Sequence, residues 1–381
     1  MLKERSESND YASMPDTRNS RTGCGSKLIY MGTQCVRSTC LFCLLAVGGF
    51  TQQSAPPSST DRHITLDVVV SDKSGKPVPG LEQQDFTLLD NKQPQKILSF
   101  QAIAAQGDAT KADPPVEVVL LVDEVNIGFS RVSYARDQIE KFLRSDGGKL
   151  PRPVSLAVLT DSGIATSNVT SQDGNVLAAE LNENKAGLRS ITRSQGVYGA
   201  SDRVGLSLKA VQQLADYEAP KPGRKLVIWV SPGWPLLTGP RIQLTDKDQQ
   251  RIFSNIVGLS DSLRRARVTL YSIDPLGTAD AGGFRTFIYE GYIKGVKKPG
   301  QVQIGNLALQ VLATQSGGRV FNSNNDVAAE IASAVADTNA FYVLTFEGLV
   351  GDGPNEYHSL EIKLDKPGLK ALTRTGYYAQ P

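Results

Sequence analysis

Residues 116–126 read VEVVLLVDEVN, residues 225–235 KLVIWVSPGWP, and residues 268–275 VTLYSIDP. Each is a short apolar run, rich in β-branched residues, that stops at a small or acidic residue. Such runs suit strands buried on both faces, where no polar face interrupts the pattern. VSLAVLT (154–160), IATSNVT (164–170) and GRVF (318–321) complete a set of six strand candidates. Amphipathic patterns at 133–144, 173–183, 202–217, 246–266, 303–316 and 326–338 lie between them. Strand alternating with helix predicts a doubly wound, mostly parallel six-stranded α/β sheet over 115–338. The one tight connection, Asp161-Ser162-Gly163, turns 164–170 back as an antiparallel edge strand.

Outward from this middle region the pattern changes to β. HITLDVVVSD (63–72) stops at Lys73-Ser74-Gly75-Lys76-Pro77, and strands follow near 86–89 and 95–101, with a turn at Asp90-Asn91. Near the other end, FYVLTFEG (341–348), YHSLEIKLD (357–365) and LKALTRTGYYA (369–379) read as three more strands. The unit at 61–102 is too small to bury a core alone. It is expected to join 341–380 in one β-sandwich, with the α/β region inserted between the two halves.

Residues 1–53 read as a polar preface followed by a secretory signal. Met31 is a second possible start, Arg37 supplies positive charge, and an apolar run extends from Cys40 to Phe50. The run falls short of the ~20 apolar residues of a membrane span, so cleavage between Gly49 and Ala55 is expected, with an uncleaved anchor as the other reading. The mature chain is then secreted, periplasmic or at the cell surface.

The inventory limits the chemistry. Of 381 residues, 41 are Lys or Arg and 39 Asp or Glu, a net charge of +2 that gives no support to nucleic acid as a partner. The four cysteines end at Cys43, and His63 and His358 are the two histidines, which argues against Ser-His-Asp, Cys-His and multi-histidine metal chemistry. No G-x-G-x-x-G or P-loop follows a strand, so a nucleotide is not expected either.

Ligands of open α/β sheets bind outside the carboxyl ends of the strands. Here those ends carry Asp123 to Asn126, Ser231 to Trp234, and Asp274 with Pro275. An apolar strand ending in Asp123, a helix, an antiparallel hairpin, then KLVIWVSPG and VTLYSID resemble a von Willebrand factor A (VWA) domain. More narrowly, the chain resembles the acidobacterial-type VWFA-related family of exported proteins. The features that carry this are DVVVSDKSGKPVPGLEQQDFTLLDNKQPQKI, the D-x-x-N of LVDEVN, V-S-P-G-W-P, and Y-H-S-L-E-I-K-L with R-T-G-Y-Y-A, in order over roughly 61–380.

The resemblance implies a divalent-cation site built from D-x-S-x-S, a later Thr and a fourth-strand Asp. This chain departs from it: Asp123, Val125 and Ile127 stand in the first motif, Ser201 or Ala200 near the Thr, and Ser231 at the Asp. Two readings follow. In one, Asp123 and Asn126, with Ser201 and Ser231, hold Mg²⁺ or another divalent ion through waters. In the other, Asp123 caps the following turn and Asn126 fixes the loop backbone.

The long loops at 184–201 and 281–302 carry Arg193, Tyr198, Phe287, Tyr289 and Tyr292, and with Trp234 they read as one aromatic and basic partner surface. The leading expectation is a non-catalytic adhesion or protein-interaction module whose partner is another extracytoplasmic protein. A cell-envelope assembly component binding through the sandwich edge is the alternative, and a metal-assisted hydrolase using Asp123 the third reading.

Overall fold

The computed structural model describes residues 62–104, 116–183, 197–235, 244–275 and 288–381. The readings of the preface and signal, and of Arg193 and Phe287, fall outside them. In chain order the first strands are β1 (His63–Ser71), β2 (Phe86–Asp90), β3 (Gln93–Gln95) and β4 (Ile97–Ala104). Next come β5 (Val116–Asp123), α1 (Phe129–Leu143), β6 (Lys149–Thr160), β7 (Gly163–Asp173), α2 (Gly174–Glu183) and α3 (Val197–Glu218). They are followed by β8 (Arg224–Val230), α4 (Asp246–Arg265), β9 (Val268–Ile273), α5 (Leu309–Ser316), β10 (Val320–Phe321) and α6 (Val327–Ala336). The chain closes with β11 (Ala340–Glu347), β12 (Glu356–Leu364), β13 (Lys370–Leu372) and β14 (Gly376–Ala379).

The fold is mixed α/β. A six-stranded sheet in the order β10-β9-β8-β5-β6-β7 is parallel except for the β6–β7 hairpin, and two four-stranded sheets run β13-β1-β11-β4 and β14-β12-β2-β3. Both smaller sheets are antiparallel and mix strands from the two ends of the chain: β1 pairs with β11 and β13, and β2 pairs with β12. The six-stranded sheet lies wholly between β4 and β11 in the sequence.

Alternation along the central strands explains the layering. In β5, Val118, Leu120 and Val122 enter one core with residues of α1, α2 and α6, while Val119 and Leu121 enter a second with residues of α3, α4 and α5. β8 divides likewise, with Leu226, Ile228 and Val230 on the first side and Val227 and Trp229 on the second. A strand buried on both faces must read as a continuous apolar run, as VEVVLLV and KLVIWV do. A third core lies between the small sheets, formed by Leu66, Val68, Val70, Phe86, Leu88, Tyr342, Leu344 and Phe346. Val69, Ile103 and Phe341 point the other way and join the first α/β core, so one antiparallel sheet is shared between two hydrophobic layers.

Polar ties reinforce that junction. Arg267, just ahead of β9, pairs with Asp67 of β1, and Thr373 Oγ1 donates to the Asp67 carbonyl at 2.9 Å. Arg224 donates to the Asp337 carbonyl at 3.1 Å and lies 4.8 Å over the Phe341 ring. Arg374, buried, donates to the Ser260 carbonyl at 3.3 Å, and burial lowers its pKa to about 10. These donors add side-chain bonds between elements that meet at the junction.

Several boundaries differ from the sequence expectation; LKALTRTGYYA, expected as one strand, divides into β13 and β14, which lie in different sheets. The β6–β7 hairpin is longer than 154–170, because most of β7 is solvent-facing and shows no apolar signature. The expected helix 303–316 is a 3₁₀ turn, Ile304–Leu307, followed by α5; Ala308 at φ −63°, ψ 148° breaks the helical path between them. The strand at 318–321 shrinks to two residues, for Gly317 at φ +91° and Gly318 are used in the turn from α5. A Cβ on Gly318 would sit 1.8 Å from the Leu270 carbonyl oxygen. Gly318→Ala is therefore expected to destabilise the protein by about 3 kcal/mol or more, read as a lowered urea midpoint.

Candidate functional site

The connections from β5 and β8 leave toward opposite edges of the six-stranded sheet, which places a crevice between their carboxyl ends. Asp123 ends β5 on one side and Ser231 follows β8 on the other. Asp123 is fully buried. Its Oδ1 accepts from the Val125 and Asn126 amides at 2.9 and 2.8 Å, an Asx turn that reverses the chain into α1. Its Oδ2 accepts from Ser231 Oγ at 2.7 Å, Asn126 Nδ2 at 2.8 Å and Trp229 Nε1 at 3.2 Å. Asn126 Nδ2 also donates to Ser207 Oγ at 2.9 Å, and Ser231 Oγ accepts from the Gly233 amide at 3.0 Å.

This arrangement does not fit a hard cation. An ionised carboxylate offers about four lone-pair sites, and five donors already converge on this one. A metal ion needs acceptors aimed at it, whereas Ser231 and Asn126 aim protons at Asp123. Asn126 Oδ1 is the one buried acceptor of the group left without a partner. Among the described residues, no three His, Cys, Asp or Glu side chains converge as metal ligands.

Ser201, expected as a cation ligand, is instead exposed on α3, because the buried stripe of that helix runs through Val204, Ser207, Val211 and Leu214. Ser207 is the hydroxyl that reaches the site. A serine interrupting an i, i+3, i+7, i+10 apolar stripe was the signal for it in the sequence. Trp229, likewise missed, shares a face with Ser231 because the two are an i, i+2 pair at the end of a strand.

Glu124, beside Asp123, takes no part in the carboxylate cluster. Arg136 Nη1 binds its Oε1 at 3.1 Å and Arg136 Nη2 donates to the Leu181 carbonyl, so the pair pins the β5–α1 connection to α1 and α2. Burial raises the Glu124 pKa and the Arg136 charge opposes that rise. A second carboxylate group lies at the end of β9. Glu330, buried in α6, has its pKa raised to about 7, first by burial and then by Asp274 and Asp326.

Of the expected aromatic partner surface, the described residues are Trp234, Tyr289 and Tyr292, and Trp234 is buried. Trp234 is 3% exposed; its indole packs edge-on against Trp229 at 5.8 Å and donates to the Leu307 carbonyl at 3.0 Å. It closes the second core over the crevice and is not available to a partner. Tyr292 is half-buried with its ring against Gly305, where a Cβ would lie 2.6 Å from it. Tyr289 is half-buried in the 3₁₀ turn Tyr289–Tyr292. The segment 288–302 leaves the crevice and runs to the sandwich: Tyr378 donates to the Val296 carbonyl at 3.1 Å, and the Tyr357 ring occupies the space beside Gly295. Its apolar residues pack against the protein itself, which is why they read as an interface. The side chain of Tyr198 lies outside the described residues.

No family model matches the chain, and no curated protein matches it. Among solved structures it is similar to an aerotolerance-related membrane protein from Bacteroides fragilis at 12% identity, covering 58% of this chain and 98% of that one, with a TM-score of 0.32. It is also similar to the PilB minor pilin of Streptococcus sanguinis at 11% identity, covering 60% and 62%, with a TM-score of 0.31. The pilus adhesin SpaC of Lactobacillus rhamnosus GG matches at 10% identity, covering 80% of this chain and 49% of the adhesin, with a TM-score of 0.35.

Asp123→Ala strands three buried side-chain donors and is expected to cost about 3–5 kcal/mol in urea unfolding. Glu330 gives a pH test. Its folded pKa lies above its unfolded value of 4.5, so its contribution to stability is lost as pH rises from about 4.5 to about 7. Glu330→Gln is expected to raise the urea midpoint at pH 8, by up to about 3 kcal/mol, and to leave it little changed at pH 4.5.

Proposed function

We propose that the protein is an exported, non-catalytic interaction module, a VWA-like domain carried in a β-sandwich, that binds another extracytoplasmic protein without a metal ion. The observation that carries this reading is the Asp123 carboxylate, whose lone pairs are filled by Val125, Asn126, Trp229 and Ser231. The position that a cation would occupy between module and partner is occupied by the module's own donors. The crevice is held by the protein's own side chains, and the partner contacts the carboxyl-end face of the six-stranded sheet directly.

Other residues support the non-catalytic part of the reading. His63 is exposed at the start of β1, far in sequence from any strand end of the large sheet. His358 is buried in β12, its Nδ1 2.9 Å from Asp90 Oδ1. Neither imidazole stands beside Asp123 as a base. Export rests on the Arg37 and Cys40–Phe50 signal pattern. No described helix is long and apolar enough to cross a membrane.

A second reading, contact by strand addition to the sandwich, has one observation behind it. β4 is an edge strand whose eight residues, ILSFQAIA, carry no charge, and Leu98 on it is 46% exposed. Uncharged edges invite pairing. Leu98→Lys is expected to leave partner binding intact under the first reading and to abolish it under the second.

Calorimetric titration of Mg²⁺, Ca²⁺ and Mn²⁺ into the mature chain is expected to give no binding heat. Micromolar binding lost in Asp123→Asn would overturn the metal-free reading. Amino-terminal sequencing of the exported protein is expected to begin between Gly49 and Ala55.

A further inference from the structure

An open cleft of about 280 Å³ lies where the inserted domain meets the sandwich, lined by Asn91, Lys92, Lys297, Glu356, Tyr357 and Ser359. Three features set it apart from ordinary surface. Lys92 and Lys297 come from opposite sides of the seam, one from the β2–β3 turn and the other from the 288–302 segment. No ion pair holds either ammonium among the described residues.

The β2–β3 turn is a two-residue hairpin loop with Asn91 at φ 47° and Lys92 at φ 67°. Such a turn is most favourable as Asn-Gly, since a side chain at the second position strains the left-handed backbone. This chain places a lysine there, directed by a turn that Asn91 anchors: its Oδ1 accepts from the Ser359 amide at 3.0 Å and from Ser359 Oγ at 3.2 Å.

The third feature is a carboxylate on the same cleft. Glu356 Oε2 accepts from the Asp352 amide at 2.6 Å, while its Oε1 lies 3.9 Å from His358 Nε2, too far for a hydrogen bond. His358 Nε2 is buried without a partner; its Nδ1 and Tyr377 Oη hold the two oxygens of Asp90 at 2.9 and 2.6 Å. This buried chain of polar groups fixes the β12 backbone beside Glu356, which lines the cleft. The floor is rigid too, for the Tyr357 ring is wedged beside Gly295 and its Oη donates to the Thr375 carbonyl at 3.1 Å.

We propose that this cleft binds a monosaccharide-sized hydroxy acid. Lys92 and Lys297 receive its carboxylate, and Glu356 Oε1 with Ser359 Oγ receives its hydroxyls. The pairing of two lysines outside any ion pair among the described residues with a carboxylate that has one oxygen, Oε1, outside hydrogen-bond range of His358 Nε2 decides the class. A bare anion would meet Glu356 as a like charge, and a neutral sugar would leave both ammonium groups unanswered. A ligand carrying an anionic group and hydroxyl donors answers both. The site lies apart from the Asp123 crevice and does not depend on the reading given to it.

The test is titration of the full mature chain, followed by calorimetry or ligand-observed NMR, with galacturonate, glucuronate, glucose and inorganic phosphate as probes. Binding of at least one uronate in the millimolar range or tighter is expected, weakened at least tenfold in Lys92→Gly and in Lys297→Gln. Lys92→Gly converts the turn to Asn-Gly, so its Tm is expected to be no lower than that of the parent, which separates loss of binding from loss of fold. Absence of uronate binding, equal binding by glucose or phosphate, or uronate binding unchanged in the variants would each overturn the proposal.

Discussion

Burial of the Asp123 carboxylate at the end of the central strand is the constraint around which the α/β layer is arranged. An ionised carboxylate removed from water is tolerated only when its oxygens are met by donors. Meeting them fixes several elements at once. The Asx turn sets how the chain enters α1, Asn126 reaches across to Ser207 on α3, and Trp229 and Ser231 commit the end of β8. Ser231 then takes the Gly233 amide, and Trp234 lies edge-on against Trp229, so residues 231–234 are held against the end of β8. One charge thereby organises two strands, two helices and a loop.

The same network bears on the two readings that the sequence leaves open for Asp123 and Asn126, for its donors fill the carboxylate as the capping reading requires. Where oxygen ligands line a crevice, a cation completes the electrostatics. Here indole, amide and hydroxyl protons do so. Charge-assisted hydrogen bonds to a buried carboxylate are strong, and exchanging five of them for one ion would require Trp229, Ser231 and Asn126 to reorient against a packed core.

The layer order and the pairing of the two chain ends were legible because burial on both faces and alternation on one face leave different patterns. VEVVLLV reads as a strand buried on both faces, and the 2-residue alternation of HITLDV as one with a single face in the core. The residue set of the crevice was legible only in part. Asp123, Asn126 and Ser231 follow strands directly, so topology placed them; Ser207 comes from the middle of a helix, and its register relative to β5 is a tertiary fact. Trp234 misled for a physical reason: a large aromatic in a loop has the same composition whether it meets a partner or folds back on its own protein. Trp234 folds back because Leu307 offers its indole N–H an acceptor inside the core.

The shared antiparallel sheet then governs how the ends of the molecule communicate. Val69, Ile103 and Phe341 belong to the first α/β core while their neighbours Val68, Val70 and Tyr342 belong to the core between the two small sheets. A sheet packed on both faces cannot slide against one layer without disturbing the other, and the buried Arg224 and Arg374 add directional bonds across the junction. The 288–302 segment spans the side of this junction, held by Tyr357 and Tyr378 from the sandwich and by Gln315 Nε2 on the Ile293 carbonyl at 3.0 Å. Lys297 is thus carried on a braced segment, and Lys92 on a two-residue turn. Two lysines whose backbones are held by independent supports, outside any ion pair among the described residues, meet the condition for a preorganised anion-binding subsite.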